Sequence, residues 1–207
     1  MLTTLKLEAG VSGKMADQGD TAGPRPAAGA RARELLRREL PDAVLGDEEG
    51  FGEVTIRVGR DRLVEVARLL RDHDEARYDL PLCVTAVDWP DREPDAPRFD
   101  VVYQLRSMRH NDVIRLVVQV PEDDPRVPTL EGVFAGMDWH EREAYALIGI
   151  RFEGHHDLRR ILLPDDWDGH PLRKDYASFG EPIAFTHNLE WALPAQERPP
   201  EMPGASR

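Results

Sequence analysis

Two stretches of the chain alternate between apolar and polar residues, and a short polar stretch joins them. Residues 99–106 and 113–120 place apolar side chains at every second position, which is the pattern of strands with one buried face. Residues 107–112 between them are few and polar, so the two strands are predicted to form an antiparallel hairpin. Alternation at 53–58 and a more apolar run at 82–87 predict further strands. The resulting sheet needs other elements to cover its apolar face.

Two helices are predicted before the hairpin. Residues 28–40 carry leucines on one side, and Pro41 is predicted to end that helix. Residues 63–70 place apolar side chains at helical spacing, and Asp61 is a plausible cap in front of them. Both helices therefore have an apolar side that can pack against the sheet.

A third helix is predicted after the hairpin. Thr129 can cap it, it is expected to run to about residue 148, and Gly149 is a suitable residue to end it. The predicted fold class is therefore α+β, a mostly antiparallel sheet with helices on one face. An extended C-terminal arm is expected to follow, and its predicted role is to form an interface.

Composition divides the chain into four regions. Residues 1–26 and the proline-rich residues 194–207 have the composition of disordered tails. Residues 27–150 carry the α/β pattern and are predicted to form the core domain. Residues 151–193 hold the arm, which is dense in charged residues, His, Pro and Gly in its first part and too polar to fold alone.

Charge and motif content argue against several functions. A formal net charge of −12 gives no electrostatic reason to bind nucleic acid or an anionic lipid surface. The one cysteine, Cys83, cannot build a zinc finger or an iron–sulfur cluster within the chain, and its apolar neighbours predict a buried, inert thiol. No dinucleotide-binding glycine motif or P-loop is present, and no apolar run reaches the ~20 residues of a membrane span. Contact with a membrane is therefore expected only through partners.

A metal site is the one catalytic interpretation that stays open. The adjacent residues His155, His156 and Asp157 could bind a metal in a stand-alone metal-dependent enzyme. His140, Glu143 and His170 could add ligands. A zinc site needs three or four converging ligands, and this spacing does not force convergence, so hydrogen bonding is the favoured role.

Residues 138–176 carry the most specific signal. Asp138 precedes Arg142 by four residues, the favourable order for an ion pair along a helix. Further on, arginines alternate with carboxylates and with Trp167 and Tyr176. Arg, Trp and Tyr dominate the energetics of protein interfaces, so this segment is predicted to order on a partner protein.

The same segment resembles the thirty-kilodalton, or C-type, subunit family of respiratory complex I. The matching features are Glu-Arg-Glu at 141–143, its spacing to His155, Leu-Arg-Arg at 158–160 and Gly-His-Pro-Leu-Arg-Lys-Asp-Tyr at 169–176. The resemblance implies a subunit of the hydrophilic arm of a proton-pumping NADH–quinone oxidoreductase that is itself non-catalytic.

The resemblance also implies partners and a location. The chain itself would bind no cofactor, whereas NADH, flavin, iron–sulfur clusters and quinone would act elsewhere in the complex. Its C-terminal extension would wrap the neighbouring D-type subunit, next to the quinone site and to the subunit with the terminal iron–sulfur cluster. The chain would be a peripheral protein on the cytoplasmic side of the cell membrane. The predicted partner-interface residues are Glu141, Arg142, Glu143, His155, Asp157, Arg159, Arg160, Trp167, His170, Arg173, Lys174, Asp175 and Tyr176.

Three positions depart from the family pattern. An acid is expected where Ala146 stands, and proline where His156 and Ala177 stand. If position 146 lies on an exposed part of the helix, Ala146→Asp should be tolerated and pair with Arg142. The departures leave open the equivalent subunit of a membrane-bound hydrogenase or of a quinone reductase fed by another donor.

Overall fold

The structure is a computed structural model that describes residues 27–93 and 95–176. Its helices are α1 (Ala30–Glu39), α2 (Leu63–Asp72) and α3 (Met137–Ile148), with short 3-10 turns at Pro41–Ala43 and Arg60–Arg62. Its strands are β1 (Val44–Gly50), β2 (Glu53–Val58), β3 (Leu80–Asp88), β4 (Phe99–Ser107), β5 (Asp112–Val120), β6 (Arg126–Pro128) and β7 (Arg151–Glu153).

The main sheet has the strand order β1-β2-β5-β4-β3. The predicted hairpin is confirmed, because β4 and β5 pair antiparallel with Tyr103 opposite Leu116. Strands β2 and β5 pair in parallel, and the other neighbours in this sheet are antiparallel. Strand β1 was not predicted, because its sequence carries three acids and two glycines rather than an alternating apolar pattern.

The apolar core lies on one face of this sheet. Every second residue of β4 is buried, as its alternating sequence predicts. The buried sides of α1, with Leu35 and Leu36, and of α2, with Val66 and Leu70, join the same cluster. Each such fully buried side chain contributes about 1.5–3 kcal/mol. The predicted α+β class, with a mostly antiparallel sheet and helices on one face, is confirmed.

One predicted helix start and one predicted helix cap are wrong. Helix α3 begins at Met137 rather than at Thr129, because residues 129–136 form turns and the Thr129 hydroxyl is bonded to Glu141. Asp61 lies inside a 3-10 turn, and α2 begins after it without a side-chain cap. Gly149 does end α3, in the left-handed conformation with φ 90°.

Cys83 is half-buried rather than buried in the core. It pairs with Gln104 after an irregularity between Pro81 and Cys83 in the ladder, and its Sγ lies 3.7 Å from the Gln104 side chain. Its neighbour Val84 takes the core-facing position instead. Partial burial raises the pKa of the Cys83 thiol, which keeps it in the unreactive thiol form.

The core continues past the predicted domain boundary at residue 150. Phe152 is buried within it, and β7 pairs in parallel with β6. From Gly154 to Tyr176 the chain forms turns and extended stretches with neither helix nor strand. None of the helices between residues 27 and 176 is long and apolar enough to cross a bilayer. The predicted tails and the end of the predicted arm, 177–193, lie outside the described residues.

Candidate interaction site around helix α3

Glu141, the first residue of the Glu-Arg-Glu motif, is buried inside its own chain. Its carboxylate accepts a hydrogen bond from the Thr129 hydroxyl at 2.5 Å and another from the Leu130 backbone N–H at 2.7 Å. Burial raises the pKa of Glu141 to about 7, against the lowering effect of these two bonds. Glu141 therefore ties the turn before α3 to the helix.

His155 has a fully buried side chain that joins the next turn to α3. Its Nε2 lies 3.2 Å from Asp138 Oδ1, and its Nδ1 accepts a hydrogen bond from the Asp157 backbone N–H at 3.1 Å. The ring stacks on His156, whose Nδ1 lies 2.5 Å from a carboxylate oxygen of Glu131. The arrangement fixes residues 155–157 against the helix.

These contacts disfavour the metal site that the sequence left open as an alternative. The groups that converge are Glu131, His155 and His156, within 4.8 Å of one another, whereas the Asp157 carboxylate binds Arg159 at 2.7 and 2.6 Å. Because His155 Nδ1 already accepts the Asp157 N–H, its lone pair is occupied. Only Glu131 and His156 then remain as possible metal ligands, fewer than the three or four that a zinc site uses.

The other residues considered as ligands lie elsewhere. His140 and Glu143 line a cavity of about 280 Å³ between α3 and β3, and His170 lies at the carboxyl end of α3. The structure therefore does not gather the six candidate ligands into one site.

Arg142 does not pair with Asp138 as predicted. Among the described residues no ion pair joins these two side chains, because Asp138 faces His155. Arg142 instead donates from Nε to the Arg159 carbonyl at 3.2 Å, and its guanidinium stacks on Trp139 at 4.9 Å. Trp139 is 61% exposed, so this pair presents an aromatic face to the outside.

Residues 157–168, here called the outer loop, lie at the surface of the domain, and Leu158 at their start packs against the core. Arg160 donates to the Trp167 carbonyl at 2.6 Å and closes the loop on itself. Leu162 is 76% exposed and has φ 65°, a left-handed conformation that is unfavourable for leucine. Three carboxylates of the loop are exposed, those of Asp165, Asp166 and Asp168.

Residues 169–176, here called the clamp, cover the carboxyl end of α3. His170 Nδ1 lies 3.0 Å from the Ala146 carbonyl, the Leu172 N–H donates to the Leu147 carbonyl at 2.9 Å, and Arg173 Nε donates to the Ile148 carbonyl at 2.7 Å. Burial lowers the pKa of His170, which favours the neutral ring with a proton on Nδ1. The last carbonyls of α3, which lack partners within the helix, are thereby bonded.

The clamp is also attached to the end of β3. The Lys174 N–H donates to Asp88 at 2.8 Å, and Arg98 forks onto the same carboxylate at 2.7 and 2.9 Å. Arg98 also lies 3.0 Å from the Asp175 carboxylate. The Arg98 guanidinium lowers the pKa of both carboxylates.

The predicted interface residues therefore fall into two groups. Glu141, His155, His170 and Arg173 are at least partly buried and make bonds within the chain, whereas the side chains of Glu143 and Arg159 are exposed, although Arg159 also pairs with Asp157. The pattern of the sequence did not reveal their supporting partners: Asp88, Arg98, Thr129 and Glu131. These residues are separated from the motif along the chain, and only the fold brings them next to it.

An α+β domain with these motif residues is typical of one class of respiratory-complex subunits. Residues 56–182 match the family described as respiratory-chain NADH dehydrogenase, 30 Kd subunit. The chain belongs to this family, which confirms the family predicted from its motifs.

Named relatives have the same description. The chain is 46% identical over 161 residues to the C-type subunit of NADH-quinone oxidoreductase from Roseiflexus sp. (strain RS-1), covering 78% of this chain and 91% of that one. It is 50% identical over 147 residues to the same subunit from Mycolicibacterium gilvum (strain PYR-GCK), covering 70% and 63%. The match is therefore nearly complete for the first relative and partial for the second.

Two solved structures share the fold. One is the trypsin-resistant fragment (1-134) of Nqo5, with a TM-score of 0.52 and 29% identity, covering 62% of this chain and 99% of that one. The other is a chain of the membrane-bound sulfane sulfur reductase (MBS), an archaeal respiratory membrane complex. Its TM-score is 0.58 at 23% identity, over 70% of this chain and 83% of that one. This second likeness concerns the fold alone.

Proposed function

We propose that this chain is a non-catalytic structural subunit in the peripheral arm of a proton-pumping NADH–quinone oxidoreductase. The observation that carries the proposal is the 46% identity to a C-type subunit of such an enzyme over 91% of that relative's length. Electrons pass from NADH to a quinone through other subunits, and this chain supports their assembly.

The chain itself binds no cofactor in this proposal. Its one cysteine cannot hold an iron–sulfur cluster, which needs several thiolate ligands. Its buried carboxylate and imidazole, Glu141 and His155, are engaged in bonds that fix turns to α3. NADH, flavin, iron–sulfur clusters and quinone then act in the neighbouring subunits.

The proposed partners are the D-type subunit, which carries the quinone site, and the subunit with the terminal iron–sulfur cluster. Exposed Trp139 and Leu162 supply apolar area for such a contact. The chain is acidic, so direct binding to an anionic membrane is unfavourable. We place it on the cytoplasmic side of the cell membrane, attached through its partners.

The electron donor separates this proposal from its alternative, a subunit of a membrane-bound hydrogenase or other donor–quinone reductase. The two relatives described as subunits of NADH-quinone oxidoreductase, at 46% and 50% identity, favour NADH. The likeness to the sulfane sulfur reductase chain, at 23% identity, carries no weight for the donor.

Affinity purification of the tagged full chain from native membranes tests the proposal. We expect the chain to co-purify with the other subunits and with NADH-dependent quinone reduction. Recovery with a hydrogenase or another dehydrogenase in place of the NADH-oxidising subunits would support the alternative. Recovery without any partner would contradict both.

A further inference from the structure

We infer that residues 157–176 consist of two parts with different tasks. The clamp, residues 169–176, forms on the chain's own α3 before any partner binds. The outer loop, residues 157–168, is the part offered to a neighbouring subunit. The second half of this inference rests on the proposed function, whereas the first half concerns the free chain alone.

The clamp is supported by what it bonds. The carboxyl end of a helix carries unpaired carbonyls and a partial negative charge. Leu172 and Arg173 supply hydrogen-bond donors to Leu147 and Ile148, and the Arg173 guanidinium adds a positive charge at the favourable end. A partner protein is not needed to satisfy these groups.

A buried carboxylate also depends on the clamp. The Asp88 side chain is almost fully buried and accepts bonds from Arg98 and from the Lys174 backbone N–H. A buried carboxylate that loses its donors is strongly unfavourable. Opening the clamp would remove one of these donors, so the closed form is favoured in the free chain.

Gly149 shows how closely the clamp approaches the helix end. A Cβ at this position would lie 2.6 Å from both Arg173 Nη2 and His170 Nε2. Gly154 has a similar φ, 85° against 90°, but a Cβ there would meet only Thr129, at 3.5 Å. The two glycines therefore share the backbone constraint, and only Gly149 is covered by the clamp.

The outer loop has the features of a protein-binding surface. Leu162 holds an exposed apolar side chain in a left-handed backbone conformation that is unfavourable for leucine. Within residues 27–93 and 95–176, the exposed carboxylates of Asp165 and Asp166 have no basic group within 4.0 Å, whereas Arg159 is paired with Asp157. The partner that fits is a subunit surface with an apolar recess bordered by lysine or arginine.

Hydrogen exchange of the free full-length chain tests the clamp. We expect the Leu172 and Lys174 amides to exchange at least about tenfold more slowly than unprotected amides, because both are hydrogen-bonded. Gly149→Ala should reduce this protection, because the added Cβ displaces the His170 and Arg173 side chains of the clamp. The control, Gly154→Ala, should keep it while imposing similar backbone strain. Unprotected Leu172 and Lys174 amides in the unmodified chain, or equal loss of protection in both variants, would overturn the clamp.

If Gly149→Ala does not fold, Arg173→Ala provides a second route, because it removes one clamp bond without backbone strain. It should speed exchange at Leu172 and Lys174 while the amides of β4 and β5 stay protected. Unchanged exchange at Leu172 and Lys174 in this variant would also count against the clamp.

Recovery of the tagged chain within the complex tests the outer loop. We expect Leu162→Glu to lower the fraction assembled at least about tenfold, as for a buried interface anchor, with clamp protection unchanged. Leu45→Glu is the matched control, since Leu45 is similarly exposed on β1 at the other edge of the sheet. Normal assembly of Leu162→Glu, or equal loss in both variants, would overturn the loop's role. Absence of the unmodified chain from any complex would instead count against the proposed function.

Discussion

The hydroxyl of Thr129 donates to the buried carboxylate of Glu141 at 2.5 Å, across the turns that lead into α3. Burial raises the pKa of Glu141 to about 7, so near neutral pH this group is only partly ionised. The nearby carboxylates of Glu131 and Asp138 also raise the pKa of Glu141. The entry to α3 is therefore sensitive to pH.

Glu141→Gln should remove this pH dependence. A carboxyl whose folded pKa is raised holds its proton more tightly in the folded state, so its stabilisation is complete below about pH 4.5 and is lost as the pH rises through about 7. The loss is on the order of 3 kcal/mol at pH 8. Denaturant unfolding at pH 5 and pH 8 should show a smaller decrease of the unfolding free energy in the variant than in the unmodified chain. The control is Glu143→Gln, on the exposed side of α3, which should show the same decrease as the unmodified chain.

Ala146→Asp is now expected to destabilise the domain. The tolerance inferred from the sequence required an exposed position, and Ala146 is fully buried, with its carbonyl bonded to His170. A buried carboxylate without donors should cost about 2–4 kcal/mol. The denaturation midpoint measures this, with Ala135→Asp as the exposed control. A midpoint equal to that of the unmodified chain would show that the helix end can open at little cost.

Arg98→Met should destabilise the free chain, because it leaves the buried Asp88 carboxylate without its main partner. Loss of one partner of a buried pair costs about 3–5 kcal/mol. Adding Asp88→Asn should recover part of this loss. A double-mutant cycle from unfolding curves gives the coupling, and additive effects would argue against a direct interaction between the two side chains.

Arg142→Ala should lower the amount of assembled complex. Arg142 supports the exposed Trp139 and bonds the Arg159 carbonyl, so its loss disturbs the proposed contact surface. The free chain should lose no more than about 1 kcal/mol of stability. Subunit recovery after membrane purification measures assembly, with Arg68→Ala on the exposed side of α2 as the control. Normal assembly with a collapse of turnover would instead indicate a catalytic role.

Zinc should bind the purified chain only below stoichiometric amounts. His155 Nδ1 is already an acceptor for the Asp157 N–H, and Glu131 and His156 alone make a weak site. Metal analysis after dialysis against zinc should give the same low content for His156→Ala. One zinc per chain, lost in that variant, would revive the metal interpretation.

The sequence alone determined the core of the fold. The alternation in β4 and β5 indicates one buried face, and helical spacing indicates which sides of α1 and α2 pack on it. These patterns are local, so they can be recognised without knowing which elements meet. Gly149 ends α3 for the same kind of reason, since the left-handed conformation favours glycine.

Only the tertiary structure decided what the motif residues contact. The sequence favoured an Asp138–Arg142 pair from their spacing, but the Asp138 carboxylate instead lies 3.2 Å from a buried histidine seventeen residues further along the chain. The sequence also predicted that Arg173 and Lys174 contact a partner subunit. In the structure the Arg173 side chain donates to the end of α3, and the Lys174 backbone N–H donates to the buried Asp88 of the same chain. Local patterns specify which face of an element is buried. Which polar group satisfies a buried charge or an open helix end depends on segments that are distant in sequence and meet only in the folded domain.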